Sequence, residues 1–297
     1  MRYGSDVTEH VDVRTADGDL DDRGPFTRLR LDLGYDGTDF SGWAAQPGRR
    51  TVAGELAASL TRVLGSDGTA SLTVAGRTDA GVHATGQVCH VDVAAERWVA
   101  YGDSLLRRLA GLLPADLRVY RVAEIPAGFD ARFSAVYRRY AYRVADTPWG
   151  SPPLRHRDTV AWPRAVDLDA LNDASAPLMG EHDFAAYCRR KDHATTIRAI
   201  TDLRWYRDAE GILIGTVQAD AFCQAMVRSL VGALLPVGDG RRPVSWPASL
   251  LTRRERANEV VVAPAHGLTL VEVGYPDDPA EYGQRAELTR RRRKLDS

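Results

Sequence analysis

The chain has 297 residues, 44% hydrophobic and 27% charged, with 39 basic against 40 acidic side chains. This excludes a disordered or fibrous protein, and the length can bury a sizeable core, as one large domain or two, without metal or disulfide staples. A pI of about 6.7 gives no whole-chain signature of a nucleic-acid binder.

Charge is unevenly placed, however. Residues 1–26 hold seven acids against three arginines without apolar periodicity, and read as a flexible acidic leader. Residues 285–297 hold six basic against two acidic side chains, so 279–297 reads as a flexible basic tail, either solvated or touching RNA. The body between is nearly balanced, and any polyanion site in it must be a local groove.

In the body, Leu29, Leu31, Leu33 and Tyr35 alternate as one face of a strand. Val52, Leu56, Leu60, Val63 and Leu64 recur at helical spacing, with Thr51 as N-cap and Gly65 as stop. A short strand near 72–75 leads into a Gly/Thr/Asp-rich loop and then a strand over 87–93. A helix over 101–113 ends at Pro114, and strands follow near 117–122 and 133–144. The breaker DTPWGSPP at 146–153 separates an N-terminal α/β lobe, 27–148, from a C-terminal one, 149–278. The second lobe offers a helix near 167–179, strands near 200–207 and 212–219, a helix over 222–235 stopped by Pro236, and a last strand over 268–275. Helices interleaved with strands in both halves predict two related α/β lobes sharing a sheet.

Cys89, Cys188 and Cys223 form no CxxC pair, so they are expected to be small buried residues in a reducing cytosol, with no disulfide framework. There is no signal-peptide core and no apolar run long enough to span a membrane. His83 and His90 with Cys89 lack a second cluster to complete a metal site.

The most informative segment is GRTDAGVHATGQV, residues 76–88. It reads as a strand end, a turn with three glycines, and the start of another strand. Asp79 sits mid-loop between Arg77 and His83, beside small residues that leave room around its carboxylate. Loops held by a rigid sheet are where reactive groups are displayed, although an Asp in such a stretch also stabilises turns. The loop has neither the GxxxxGK[ST] nor the GxGxxG phosphate cradle, and the chain has no GxSxG elbow.

That run resembles the signature of the TruA-type tRNA pseudouridine synthases. The resemblance extends through Tyr35-Asp36-Gly37-Thr38 with Gly42-Trp43, TVAGEL from Thr51, ARFSA from Ala131, RRYAY from Arg138, Ala219-Asp220-Ala221-Phe222 with Met226-Val227-Arg228, and APAHGL from Ala263. It implies two RRM- or ferredoxin-like lobes of α/β (α+β) class sharing a mixed, mainly antiparallel sheet, with the active-site cleft between them. It implies Asp79 as catalytic aspartate, Tyr140 as the tyrosine packed on the target uracil, and Arg228 as the arginine paired with the aspartate. It also implies a cytoplasmic homodimer, without cofactor or metal, acting on uridines 38, 39 and 40 of the tRNA anticodon stem-loop.

The residues can be weighed beside that resemblance. Tyr140 and Tyr142 share a strand face, and either serves equally well as core. On a helical wheel Phe222, Met226, Val227, Leu230, Val231 and Leu234 fill one half. Arg228 falls outside it beside Ala225, Ser229 and Gly232, small residues that would admit the loop bearing Asp79. Arg77 could clamp a phosphate or fill the gap left by an extruded base, or form a surface ion pair. Thr78 and His83 complete the expected RNA-contact set. Asp220 stands where the family often has Asn, which adds negative charge near the RNA side. The rival readings are a non-catalytic RNA-binding module and a carboxylate nucleoside hydrolase or glycosidase, the latter lacking a second acid in a comparable motif.

Overall fold

In the computed structural model, residues 26–66, 72–189 and 195–291 are described. The acidic leader up to residue 25 and the terminal basic run 292–297 lie outside the described residues. Ten strands form one sheet: β1 (Phe26–Tyr35), β2 (Thr73–Val74), β3 (His83–Ala94), β4 (Leu117–Glu124), β5 (Tyr137–Ala145), β6 (Val160–Ala161), β7 (Gly180–Asp183), β8 (Ile197–Arg207), β9 (Leu213–Ala219) and β10 (Leu268–Gly274). The spatial order is β4-β1-β3-β10-β5-β9-β8-β7, with β2 on β3 and β6 on β5. Apart from β10 on β3 and β6 on β5, the pairings are antiparallel. This is the α+β class expected.

The period-two pattern of β1 does what the alternation demands. Leu29, Leu31, Leu33 and Tyr35 are buried, while Arg28 and Arg30 pair with Asp92 and Asp32 on the other face. Helix α1 (Val52–Leu64) starts at Thr51, whose side chain accepts from Gly54 N, and stops at Gly65 in the left-handed half of φ. Helix α2 (Ala95–Leu112) begins six residues earlier than its apolar spacing suggested, because its first turns carry exposed Val99 and bury little. Helices α1 and α2 pack together, with α2 also against β3 and β4. In the other half α3 (Leu168–Ser175) packs on β8 and on α4 (Met226–Gly238). The short α5 (Trp246–Ser249) and α6 (Glu281–Arg290) complete the helices.

Four expectations change. Residues 133–136 form a turn before β5, not strand, because Asp130 and Ser134 hydrogen-bond the local backbone there. Helix α4 starts at Met226, four residues later than expected, and runs through Pro236 to Gly238, since burial of most of its residues outweighs one lost hydrogen bond near its end. The segment expected as a flexible tail from 279 opens with α6, docked by Tyr282 on Phe129 at 5.1 Å between ring centroids and by Ser134 Oγ donating to Tyr282 O at 2.9 Å. Cys188 and Cys223 are joined in a disulfide with Cα atoms 5.6 Å apart. The fold brings these distant residues together where Arg189 N donates to Gln224 O. Cys89 alone stays free, buried in the core.

His90 ties β3 to the 130–134 turn by accepting from Ala131 N at its Nδ1. Burial, reinforced by Arg28, pushes its pKa down to about 4. The unfolded chain therefore takes up this proton near pH 6.5 while the folded chain resists it to about pH 4, so stability is full above that range and falls as pH drops through it. Between pH 7 and pH 5, His90 is expected to account for about 2 kcal/mol of lost stability. Urea unfolding at the two pH values should show a smaller loss in His90→Gln. An equal loss in both proteins would refute the assignment.

Candidate active site

The segment 75–82 is held by its backbone and displays its side chains selectively. Ala75 N donates to Val88 O, Trp43 N to Thr78 O, and Val82 N to Asp79 O. From below, Gln87, fully buried, donates from Nε2 to Gly76 O at 2.8 Å and to Tyr35 Oη at 3.2 Å. Tyr35 Oη in turn shares a hydrogen bond with Thr78 Oγ1 at 2.8 Å. Burial raises the Tyr35 phenol far above its ordinary value, so it is a neutral link. Gly42 makes the close crossing of Trp43 possible: its φ is +90°, and a Cβ there would lie 2.9 Å from Thr78 O.

This clamping leaves the Asp79 side chain 39% exposed, with Oδ2 at 3.6 Å from Nη1 of Arg228, itself 20% exposed. Arg228 is anchored separately, donating from Nε to Ala263 O at 2.7 Å. Ala225, at φ 64°, starts α4 and turns the chain so that Arg228 sits in the helix's first turn. The segment admitted by small Gly232 is not the Asp79 loop but 261–263: a Cβ at Gly232 would lie 1.8 Å from Val261 O. That approach sets the Ala263 carbonyl against Arg228.

Tyr140 lies on β5, buried, with Phe222 edge-on at 5.2 Å and 88°. Its hydroxyl looks toward Gly76, where a Cβ would sit 3.9 Å from it. Burial pushes its pKa up to about 12, with Asp79 adding to the rise and Arg138 opposing it. Tyr140 is therefore a neutral phenol at physiological pH. Tyr142 is core, its hydroxyl donating to Pro264 O.

The structure thus brings Asp79, Tyr140 and Arg228 together and divides the other expected residues. Arg77 is exposed and makes no ion pair among the described residues. Thr78 is buried with its hydroxyl committed to Tyr35, so it braces the loop instead of facing a ligand. His83 is buried as well: Nδ1 accepts from Gly37 N, and Nε2 meets the carbonyls of Arg157 and His266. Both ring nitrogens are occupied, which makes His83 a tie between three segments and not a contact group. Asp220 Oδ1 accepts from Ala199 N, so it ties the segment after β9 to β8. Sequence reasoning passed over Gln87 and Phe222, both lying inside recognisable motifs but with partners distant in sequence.

The site therefore holds a partly exposed carboxylate facing a guanidinium, with a neutral phenol nearby. The family described as tRNA pseudouridine synthase matches residues 34–134 and 174–276. Among relatives, the tRNA pseudouridine synthase A of Streptomyces griseus is 57% identical over 263 residues, 88% of this chain and 93% of its own. Those of Frankia casuarinae (56%, 89% of this chain and 94% of its own) and Mycobacterium leprae (52%, 89% and 94%) are similarly close. The chain belongs to the tRNA pseudouridine synthase family. It is accordingly an enzyme of the isomerase class.

Gly42→Ala should disturb this arrangement without touching a functional side chain. Strain at positive φ costs about 1–3 kcal/mol, and the added methyl presses on Thr78 O. The variant should melt at lower temperature and lose at least about tenfold in turnover when assayed cold and folded, as a displaced carboxylate would. Unchanged turnover would mean that Gly42 does not set the loop.

Proposed function

We propose that this protein converts uridine to pseudouridine at positions 38, 39 and 40 of the tRNA anticodon stem-loop, with Asp79 as its catalytic nucleophile or base. The observation that carries the reading is the meeting of Asp79 and Arg228 at 3.6 Å beside buried Tyr140, the trio that the family resemblance implied.

The reaction is an internal exchange. The N1–C1′ bond breaks, the uracil turns, C5 bonds to C1′, and the C5 proton leaves to a base. Atoms balance without oxidant, reductant or added group, so no cofactor is required. Asp79 either attacks C1′ or removes the C2′ proton to give a glycal, and both routes need a carboxylate that is open on one side. Arg228, fixed through Ala263, gives that carboxylate a set direction. Tyr140, kept neutral by burial, offers the detached base a ring surface and Phe222 supports it. Arg77, exposed two residues before Asp79, is suited to a phosphate or to the space of an extruded uridine.

We also propose that the enzyme works in the cytoplasm as a homodimer with tRNA as its partner. Among the described residues no helix is long and apolar enough to cross a membrane.

The test is incubation with unmodified tRNA followed by mapping of pseudouridine. Conversion should be confined to the anticodon arm. Asp79→Asn should lower the rate by at least about a thousandfold while largely sparing tRNA binding, and binding should weaken steeply with salt. Full activity in that variant would remove Asp79 from the mechanism. Conversion elsewhere in the tRNA would overturn the site assignment.

A further inference from the structure

Arg138 is the side chain whose environment least resembles that of an ordinary arginine. It lies on β5 at the middle of the sheet, paired in register with Ala219 of β9 and Val273 of β10, and is only 6% exposed. Among the described residues it forms no ion pair, although the Asp220 carboxylate lies near enough to favour its charge. Nη1 donates to Asp220 O at 2.8 Å, and Nη2 donates to Ala75 O at 2.8 Å and also to Arg132 O. A buried cation whose hydrogen bonds go to main-chain carbonyls is costly to keep, and burial lowers its pKa.

The three carbonyls come from three separate segments. Ala75 opens the loop that carries Asp79 four residues later. Asp220 opens the segment that carries Phe222 two residues on and then Arg228. Arg132 belongs to the turn leading into β5. Tyr140 stands two residues from Arg138 on the same strand face. One guanidinium thus touches the backbone leading to each member of the Asp79, Tyr140 and Arg228 group, and its charge also acts on the Tyr140 phenol.

We infer that Arg138 is a positioning residue of the isomerase reaction: its fork of donors sets the separation of the Asp79 loop from the Phe222–Arg228 segment. The fork geometry is essential. A lysine has a single nitrogen and cannot serve carbonyls fanned across two guanidinium nitrogens. A methionine of similar length leaves three carbonyls without their donor. Neither replacement unmakes the catalytic side chains, so the consequence falls on their spacing, to which reaction rates are steeply sensitive.

The inference rests on Asp79 as the catalytic carboxylate, so Asp79→Asn is assayed in parallel. Arg138→Met and Arg138→Lys are prepared as full chains. Folding is followed by thermal melts, tRNA affinity by filter binding, and pseudouridine formation by single-turnover kinetics at a temperature well below each melt. Arg138→Met should slow the chemical step by about a hundredfold and Arg138→Lys by about tenfold, with tRNA affinity within about threefold of the parent in both. A folded Arg138→Met with a near-parental rate would overturn the inference. So would loss of rate and affinity in proportion, or recovery of the parental rate on cooling, because a purely structural residue behaves in that way. If Arg138→Met does not fold, Arg138→Lys decides by the same criteria, and failure of both to fold would make Arg138 a folding residue only. An active Asp79→Asn would defeat the parent reading, whereas an inactive one beside fast Arg138 variants would defeat this inference alone.

Discussion

Everything about the site depends on where β10 lies. The strand comes from near the chain's end, yet it occupies the centre of the sheet, parallel to β3 on one side and antiparallel to β5 on the other. Its pairing with β3 covers only Thr269 with His83 and Leu270 with Ala84. The two half-sheets therefore meet along a short seam, and the loop carrying Asp79 runs directly into β3 at that seam. On the other side of β10 stands β5 with Tyr140. A carboxylate and an aromatic ring from opposite half-sheets become neighbours because one strand separates their supports.

Around that seam the polar groups divide their duties. Those that hold the loop are buried and turned inward: Gln87, Tyr35 and Thr78 form a chain beneath it, and His83 ties three segments at its far end. The side chains of Asp79 and Arg77 take no part in that chain: Asp79 is partly exposed against Arg228, and Arg77 is exposed. Rigid backbone and free side chain are complementary results of the same hydrogen-bond arrangement. The arrangement also explains how a chain of nearly balanced charge can serve a polyanion. On the function proposed above, what matters is the exposed Arg77 beside Asp79 and not the sum over 297 residues.

Much of this was legible in the sequence, for identifiable reasons. Alternation in β1 and helical spacing in α1 report burial by local period, so both elements matched their expected extents closely. The motif around Asp79 was long enough to point to the trio that the fold assembles. Elements with weak local signals escaped. The first turns of α2 bury little, β7 has four residues, and α6 is defined by its docking on Phe129. The burial of Thr78 and His83 was not legible, because a polar residue in a loop motif looks the same in sequence whether it faces solvent or the core. Their burial arises from partners up to 183 residues away. The pairing of Cys188 with Cys223 was hidden likewise, since spacing alone does not state which loops will meet.

The position of β10 also has a temporal meaning. A polypeptide leaves the ribosome from its N-terminus, so β3 and β5 are available well before residues 268–274 exist outside it. Until then the strand that lies between β3 and β5 is missing. Asp79, Tyr140 and Arg228 have all been synthesised by that stage, yet they have no common frame. Of the strands that carry or separate these supports, β10 is the last in chain order, so a chain that already contains Asp79, Tyr140 and Arg228 still lacks the strand that brings their supports together.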